Sequence, residues 1–238
     1  MHIFIISWSG QHEKAIAIAQ RLSPLKSQVS LVYSDANPDL ILSTDGHQLK
    51  RSNALFWGDK FKACLDACAS DVMLVIHADC QCEDWAALAQ KCQAALRANP
   101  NIGVWTPRIH GTPYDISTTH VADIKGTTLC LVADTDALVF ALSKPVQKRM
   151  QSANYQDNLY GWGINGAFCA YAYASHLWVV MDTSVEIHHQ PSTAPSYPFQ
   201  EARRQKAQFM TQLTMPEAIQ RQLLNSHMEK KKLQLKYP

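Results

Sequence analysis

The sequence predicts an α/β fold: a mixed, mostly parallel sheet flanked by helices, with further helices at the C-terminus. Three observations carry this. Residues 72–76 (VMLVI) form an unbroken apolar run, the mark of a strand covered on both faces. Residues 2–33 read strand, helix, strand, a βαβ unit of about thirty residues whose two strands are parallel. Hydrophobic residues make up 47% of the chain and charged residues 18%, enough apolar mass for a large core.

Each element follows from local pattern. Residues 2–6 are a short apolar strand, 7–10 a loop, and 13–22 a helix with Ala and Ile at helical spacing, followed by Pro24. Residues 29–33 are the second strand, ending in Ser34-Asp35. Residues 36–53 are polar and irregular. Residues 54–69 have helical periodicity and feed the strand at 72–76. Residues 85–98 are a helix with Glu83 and Asp84 at its start, where the helix dipole favours negative charge. Residues 102–106 are a strand that Pro107 ends, and 108–125 are loop-like. Residues 128–133 and 137–141 read as strands suited to pairing with each other, and 144–152 as a short helix. Residues 154–165 are rich in Tyr, Trp, Asn and Gly and have no period. Residues 166–175 form a small-residue helix, 178–181 and 185–187 two strand pieces, and 201–213 and 216–236 two helices.

With 238 residues, no repeat and no low-complexity linker, the chain reads as a sheet domain over 1–200 and a helical appendage over 201–238 packed on it. A net charge of +2 gives no support for a nucleic-acid partner. No apolar run approaches membrane-spanning length, and the N-terminal run lacks a basic flank, so it reads as a strand rather than a signal peptide. Seven cysteines without a CxxC argue against a structural zinc site, and reduced, mostly buried thiols suit a cytoplasmic location.

In an open α/β sheet, ligands sit beyond the carboxyl ends of the strands. Three polar strand ends fall there: Ser7-Trp8, Asp35 and His77-Ala78-Asp79. Alternation along a strand turns His77 and Asp79 toward one spot. An aromatic ring, a carboxylate and a metal-capable pair on one rim suit a nucleotide, with a divalent cation on its diphosphate. There is no GxGxxG and no P-loop. Downstream lie Tyr160-Gly161-Trp162-Gly163-Ile164-Asn165 and a strand ending in His188-His189.

This order of motifs resembles the GT-A nucleotide-sugar glycosyltransferases related to family-2 enzymes, over roughly residues 1–200. The resemblance implies a Rossmann-like GT-A domain that moves a sugar from a nucleotide-sugar donor to a hydroxyl acceptor, a glycan or a lipid-linked molecule, in polysaccharide biosynthesis. Its Asp-x-Asp metal motif corresponds to His77-Ala78-Asp79, with Asp79 as the metal-binding position and the role of His77 open between ribose and metal. The late histidine of the family matches His189 or His188, and Mn2+ or Mg2+ is the implied cofactor. Ser7, Trp8 and Asp35 match nucleoside-holding positions, while Lys50, Arg51, Asn53, Trp57 and Lys60 match the donor pocket. Tyr160, Trp162 and Asp136 fall near the acceptor, with Tyr155 a further aromatic there. Where inverting members carry a carboxylate after Gly-Trp-Gly, this chain has Asn165, which cannot take a proton. Asp157 is then the candidate base, beside retention of configuration or loss of activity.

Two other classes stay open: a non-catalytic nucleotide-sugar- or glycan-binding module, and a nucleotidyltransferase, for which Ser7-Trp8-Ser9-Gly10-Gln11 lacks the basic Gly-rich loop. The last helix sets Ile219, Leu223, Leu224 and Met228 among Arg221 and Lys230-Lys231-Lys232, a pattern that also suits peripheral contact with an anionic membrane.

Overall fold

A computed structural model of the chain describes residues 1–25, 27–43, 46–189 and 198–236. Strand β1 (His2–Trp8) leads through α1 (His12–Leu22) to β2 (Gln28–Ser34) and the edge strand β3 (His47–Lys50). Helix α2 (Trp57–Ala67) feeds β4 (Val72–His77), then the two-residue β5 (Cys80–Gln81) and α3 (Trp85–Ala98). Next come β6 (Ile102–His110), α4 (Ile116–Thr119), β7 (His120–Asp123), β8 (Leu129–Val132), β9 (Val139–Ser143) and α5 (Lys144–Gln151). The chain closes with α6 (Ile164–Ala174), β10 (Trp178–His189), α7 (Phe199–Met210) and α8 (Met215–Lys236).

All the strands join one sheet, in the order β3-β2-β1-β4-β9-β6-β10-β8-β7, with β5 paired to β10. The first four strands in that order are parallel. β9 lies antiparallel between β4 and β6, and β10 is parallel to β6. The carboxyl ends of β1, β2, β4, β6 and β10 therefore open on one edge. Alternate side chains feed two cores. Phe4, Ile6, Met73 and Val75 pack with α2 and α6, and Ile3, Ile5, Leu74 and Ile76 pack with α1 and α3. Burial on both sides is why these strands read as continuous apolar runs rather than alternating ones.

Several sequence expectations are corrected. Residues 128–133 and 137–141 do not pair with each other. β9 (VFALS), buried along nearly its whole length, inserts between β4 and β6, while the alternating β8 (LCLV) pairs with β10 and β7. The two late strand pieces are a single strand, β10, bent by a register shift between Asp182 and Glu186. Asp182 stabilises that bulge by accepting hydrogen bonds from the Ser184 amide at 3.0 Å and the Thr128 hydroxyl at 2.8 Å. β6 runs through Pro107, which faces the bulge at Asp182, where proline's missing N–H is tolerated. The irregular stretch 36–53 contains β3, and 108–125 contains the end of β6 with α4 and β7. Helix α6 starts at Ile164, which puts Asn165 in its first turn.

Helix α8 packs on α6 and α4, and Arg149 of α5 grips Glu217 of α8 through two hydrogen bonds of 2.7 and 2.8 Å. All seven cysteines are free thiols. No helix among the described residues is long and apolar enough to cross a membrane.

Candidate functional site

The rim at the carboxyl edge is built from β1, β2 and β4. Parallel register sets Ile6 beside His77 and Trp8 beside Ser34. Trp8 meets the His77 ring edge-on, with centroids 6.0 Å apart. Ser7 is fully buried, and its hydroxyl bonds His12 Nδ1 at 2.8 Å. The other nitrogen of His12 lies 3.0 Å from Asp35 Oδ2. Ser9 also donates to that oxygen, and the Asn37 amide donates to Oδ1 at 2.8 Å. These donors, Ser9 foremost, then Asn37 and His12, hold the Asp35 carboxyl down at about 2, so it stays ionised. Ser7 thus acts through His12, a residue for which the sequence held no motif or spacing signal.

Helix α2 supplies the floor. Trp57 stacks on Phe61 with centroids 5.0 Å apart, and its indole N–H donates to His77 Nε2. Burial lowers the His77 imidazole to about 4, so the ring is neutral. With Nε2 accepting, the ring proton sits on Nδ1, which is left as a donor. Lys60 is only 5% exposed, and burial lowers its ammonium to about 8, with Asp59 opposing that shift. The other candidates from this stretch are committed elsewhere or open to solvent. Lys50 Nζ donates to the Leu40 carbonyl at 2.7 Å, Arg51 forms a two-pronged pair with Asp59 at 2.6 and 2.7 Å, and Asn53 is exposed.

After Ala78 the chain turns back on β10, where Cys80 pairs with His189 and Gln81 with His188. This brings Asp79 Oδ2 within 3.1 Å of His189 Nε2. Asp79 Oδ1 is buried and has no hydrogen-bond partner among the described residues. Burial raises the Asp79 carboxyl, but the His189 hydrogen bond and the two nearby imidazoles outweigh it and lower it overall. The same hydrogen bond raises the His189 imidazole. His188, one residue earlier, turns to the opposite face of the strand and stacks on His110.

The loop before β9 closes the rim, with the Leu138 carbonyl accepting from the His77 amide at 2.9 Å. Asp136 in that loop accepts from the Thr112 hydroxyl at 2.5 Å. Burial raises its carboxyl, and the charge of His189 acts on it. Asn165 donates to Asp134 Oδ1 at 3.1 Å and to the Thr135 carbonyl at 3.0 Å, while Arg221 of α8 donates to Asp134 Oδ2 at 2.5 Å. Asp134 is fully buried. Asn165 therefore clamps the loop that carries Asp136. Neither Asn165 nor Arg221 was legible as part of this arrangement, because α6, α8 and the loop meet only in three dimensions. Asp157 is exposed and accepts from Gln208 at 3.3 Å, lining a cleft with Asn154, Asn158 and Phe209 rather than joining Asp79 and His189. Tyr160 rests on Phe56 at 5.0 Å and Trp162 on Phe199 at 4.9 Å, both half-buried, whereas Tyr155 is a core residue whose hydroxyl donates to the Met150 carbonyl.

Compared with known proteins, the sequence matches no family profile and no curated relative. Its structure resembles several solved ones. GalNAc-T7, solved with UDP, GalNAc and Mn2+, matches at a TM-score of 0.60 and 10% identity, over 82% of this chain and 45% of that one. The mannosyltransferase PcManGT of Pyrobaculum calidifontis, solved with GDP-Man and Mn2+, matches at 0.57 and 10%, over 89% and 61%. S. aureus TarS 1-349 matches at 0.63 and 15%, over 97% and 71%. The chain has the GT-A fold of nucleotide-sugar glycosyltransferases. It spans less than two thirds of the length of GalNAc-T7 and PcManGT, and at such identities the likeness shows the fold alone. A CMP:2-keto-3-deoxy-manno-octonic acid synthetase also matches, at 0.51 and 11%.

Within this GT-A frame, the Asp79–His189 pair has the chemistry of a divalent-cation seat. It offers one carboxylate and one imidazole, with a buried carboxylate oxygen that no group among the described residues satisfies. A nitrogen donor beside oxygen donors favours Mn2+ over Mg2+.

Proposed function

We propose that this chain transfers a sugar from a nucleotide-sugar donor to a hydroxyl acceptor, with a divalent cation held by Asp79 and His189. The observation that carries the proposal is their 3.1 Å approach across 110 positions at the carboxyl edge, together with the unpartnered Asp79 Oδ1. When bound, the cation supplies charge stabilisation for the departing nucleoside diphosphate. Trp8 offers a face to the base, and Asp35, held ionised, accepts from the nucleoside. Lys60 and the His77 Nδ1–H meet phosphate or ribose oxygens. For the acceptor proton, Asp136 is better placed than Asp157: its carboxyl is raised by burial and it faces the charge of His189, whereas Asp157 lies exposed against Gln208. Tyr160 and Trp162 flank the acceptor side.

The test is thermal shift with UDP-, GDP- and CMP-sugars, with and without Mn2+, followed by assay of released nucleotide. The expected result is Mn2+-dependent stabilisation by one nucleotide class, with release, abolished in Asp79→Asn and His189→Ala. Equal shifts in these variants and the native chain would sink the cation assignment. Stabilisation without release supports the second reading, a binding module. Asp136→Asn should cut turnover about 100-fold or more with donor binding retained, while Asp157→Ala leaves it within a few-fold.

Lipid-linked acceptors fit α8, whose exposed Leu233 and Leu235 adjoin Lys230, Lys231 and Lys232. Reversing the three lysines to glutamate should abolish co-sedimentation with anionic vesicles. Deleting 214–238 would be a poorer test, because it removes the Arg221 that neutralises Asp134.

A further inference from the structure

We propose that His110, Glu186 and His188 form a second cation site, for a borderline ion of the Zn2+ class, on the face of β10 opposite His189. The site does not depend on the glycosyltransferase reading. Strands β6 and β10 run parallel here in strict register, with Arg108 beside Glu186, Ile109 beside Ile187 and His110 beside His188. Ile109 and Ile187 turn into the core, so the residues on either side of them turn out together. The result is two imidazoles from adjacent strands with a carboxylate two residues before one of them.

The ligand atoms of the three residues all lie within 4.8 Å of one another, and this is the one such trio of His, Cys, Asp or Glu among the described residues. His110 Nε2 is buried without a hydrogen-bond partner among the described residues, and a carboxylate oxygen of Glu186 stands 3.6 Å away. Arg108 stands 3.7 Å from the other oxygen of Glu186, also beyond hydrogen-bond range. The two imidazoles lie face to face, centroids 4.8 Å apart and 15° from parallel. Two nitrogens bound to one tetrahedral ion stand roughly 3.4 Å apart, so the stacked rings have to tilt toward a common point for both lone pairs to meet one ion.

Two nitrogens, one oxygen and no thiolate select Zn2+, Co2+ or Ni2+ over Mg2+ or Ca2+. Three protein ligands leave one coordination position for water or a ligand. An ion here would tie the carboxyl ends of β6 and β10 together, one residue before His189.

The experiment titrates Zn2+ calorimetrically, and Co2+ by its visible absorption, into three full-length proteins: the native chain, Asp79→Asn/His189→Ala and His110→Ala/His188→Ala. The native chain should bind one equivalent here besides any ion taken by Asp79 and His189, and the Asp79/His189 variant should keep this one equivalent. In the His110/His188 variant, affinity should fall by more than the roughly 10- to 100-fold that loss of a mere supporting group causes. Glu186→Gln, which keeps the side chain's shape, should weaken binding about tenfold and guards against a variant that misfolds. Undiminished binding by the His110/His188 and Glu186 variants, or no bound Zn2+ or Co2+ in the native chain, would overturn the proposal.

Discussion

Lys60 shows what burying one charged residue costs the fold. Its ammonium is buried beneath the rim, and burial lowers it from 10.5 to about 8. Between pH 8 and 10.5 the unfolded chain binds the proton that the folded chain has lost. Stability from this group therefore rises with pH across that window, and below pH 8 the full penalty for burying the charge applies. Lys60→Met removes the penalty. At pH 7 it should raise unfolding stability by roughly 1–3 kcal/mol, and the difference between variant and native chain should shrink between pH 8 and 10.5 in urea melts. The proposed contact of Lys60 with a donor phosphate predicts at least about tenfold weaker nucleotide-sugar binding by the same variant. Much of the rim was legible at this scale: Trp8, Asp35, His77 and Asp79 follow strands recognisable by their apolar runs. His12 was not, and Asn165 and Arg221 stood out for other roles than the one they fill, because each acts through a partner from a different element.

At the scale of elements, α2 and α8 hold the site from two sides. Gly58 of α2 donates its amide to the Leu159 carbonyl at 3.0 Å, and a Cβ added to it would collide with the Asn158 carbonyl oxygen. Gly161, at φ +71°, lies against the Trp57 ring, so neither contact tolerates a side chain. Gly58→Ala should cost about 1–3 kcal/mol of stability by overpacking. It should also weaken donor binding, because Trp57, which holds His77, has to move; urea melts and nucleotide titration read the two effects. From the other side, Arg221 neutralises the fully buried Asp134. Arg221→Ala leaves that charge unpaired and should cost about 3–5 kcal/mol, seen as a lower urea midpoint with unchanged slope. Arg221→Met with Asp134→Asn should recover part of the loss. The periodicity of both helices was visible in the sequence; their partners were not, since packing against a loop more than eighty residues away leaves no periodic trace.

Over the whole molecule, burial of histidine couples the fold to acid. His2 is 1% exposed, bonds the Ser30 hydroxyl at 2.8 Å and is lowered to about 4, by burial first, then by His47 and the chain's own N-terminus. The unfolded chain protonates this ring near 6.5, so stability falls as pH drops from 6.5 toward 4. The slope is about 1.4 kcal/mol per pH unit. Comparing urea melts of the native chain and His2→Gln at pH 7, 5.5 and 4.5 isolates this contribution: the native chain should lose the extra stability and the variant should not. The strand that carries His2, β1, stands third from the β3 edge of the sheet, and its neighbouring side chains Ile3 and Phe4 pack into the two cores.

The apolar runs and the polar residues that end them determined, without any structure, the sheet-and-helix class, the parallel strands and the edge on which ligands would sit. These follow from local chemistry, because a strand covered on both faces must be apolar throughout and its polar tip must lie outside the core. Only the tertiary structure decided that β9 separates β4 from β6, that His189 rather than His188 meets Asp79, and that Asn165 serves a buried aspartate. Each of these depends on which distant segments share a register, and a shift of one residue along a strand turns every side chain to the opposite face.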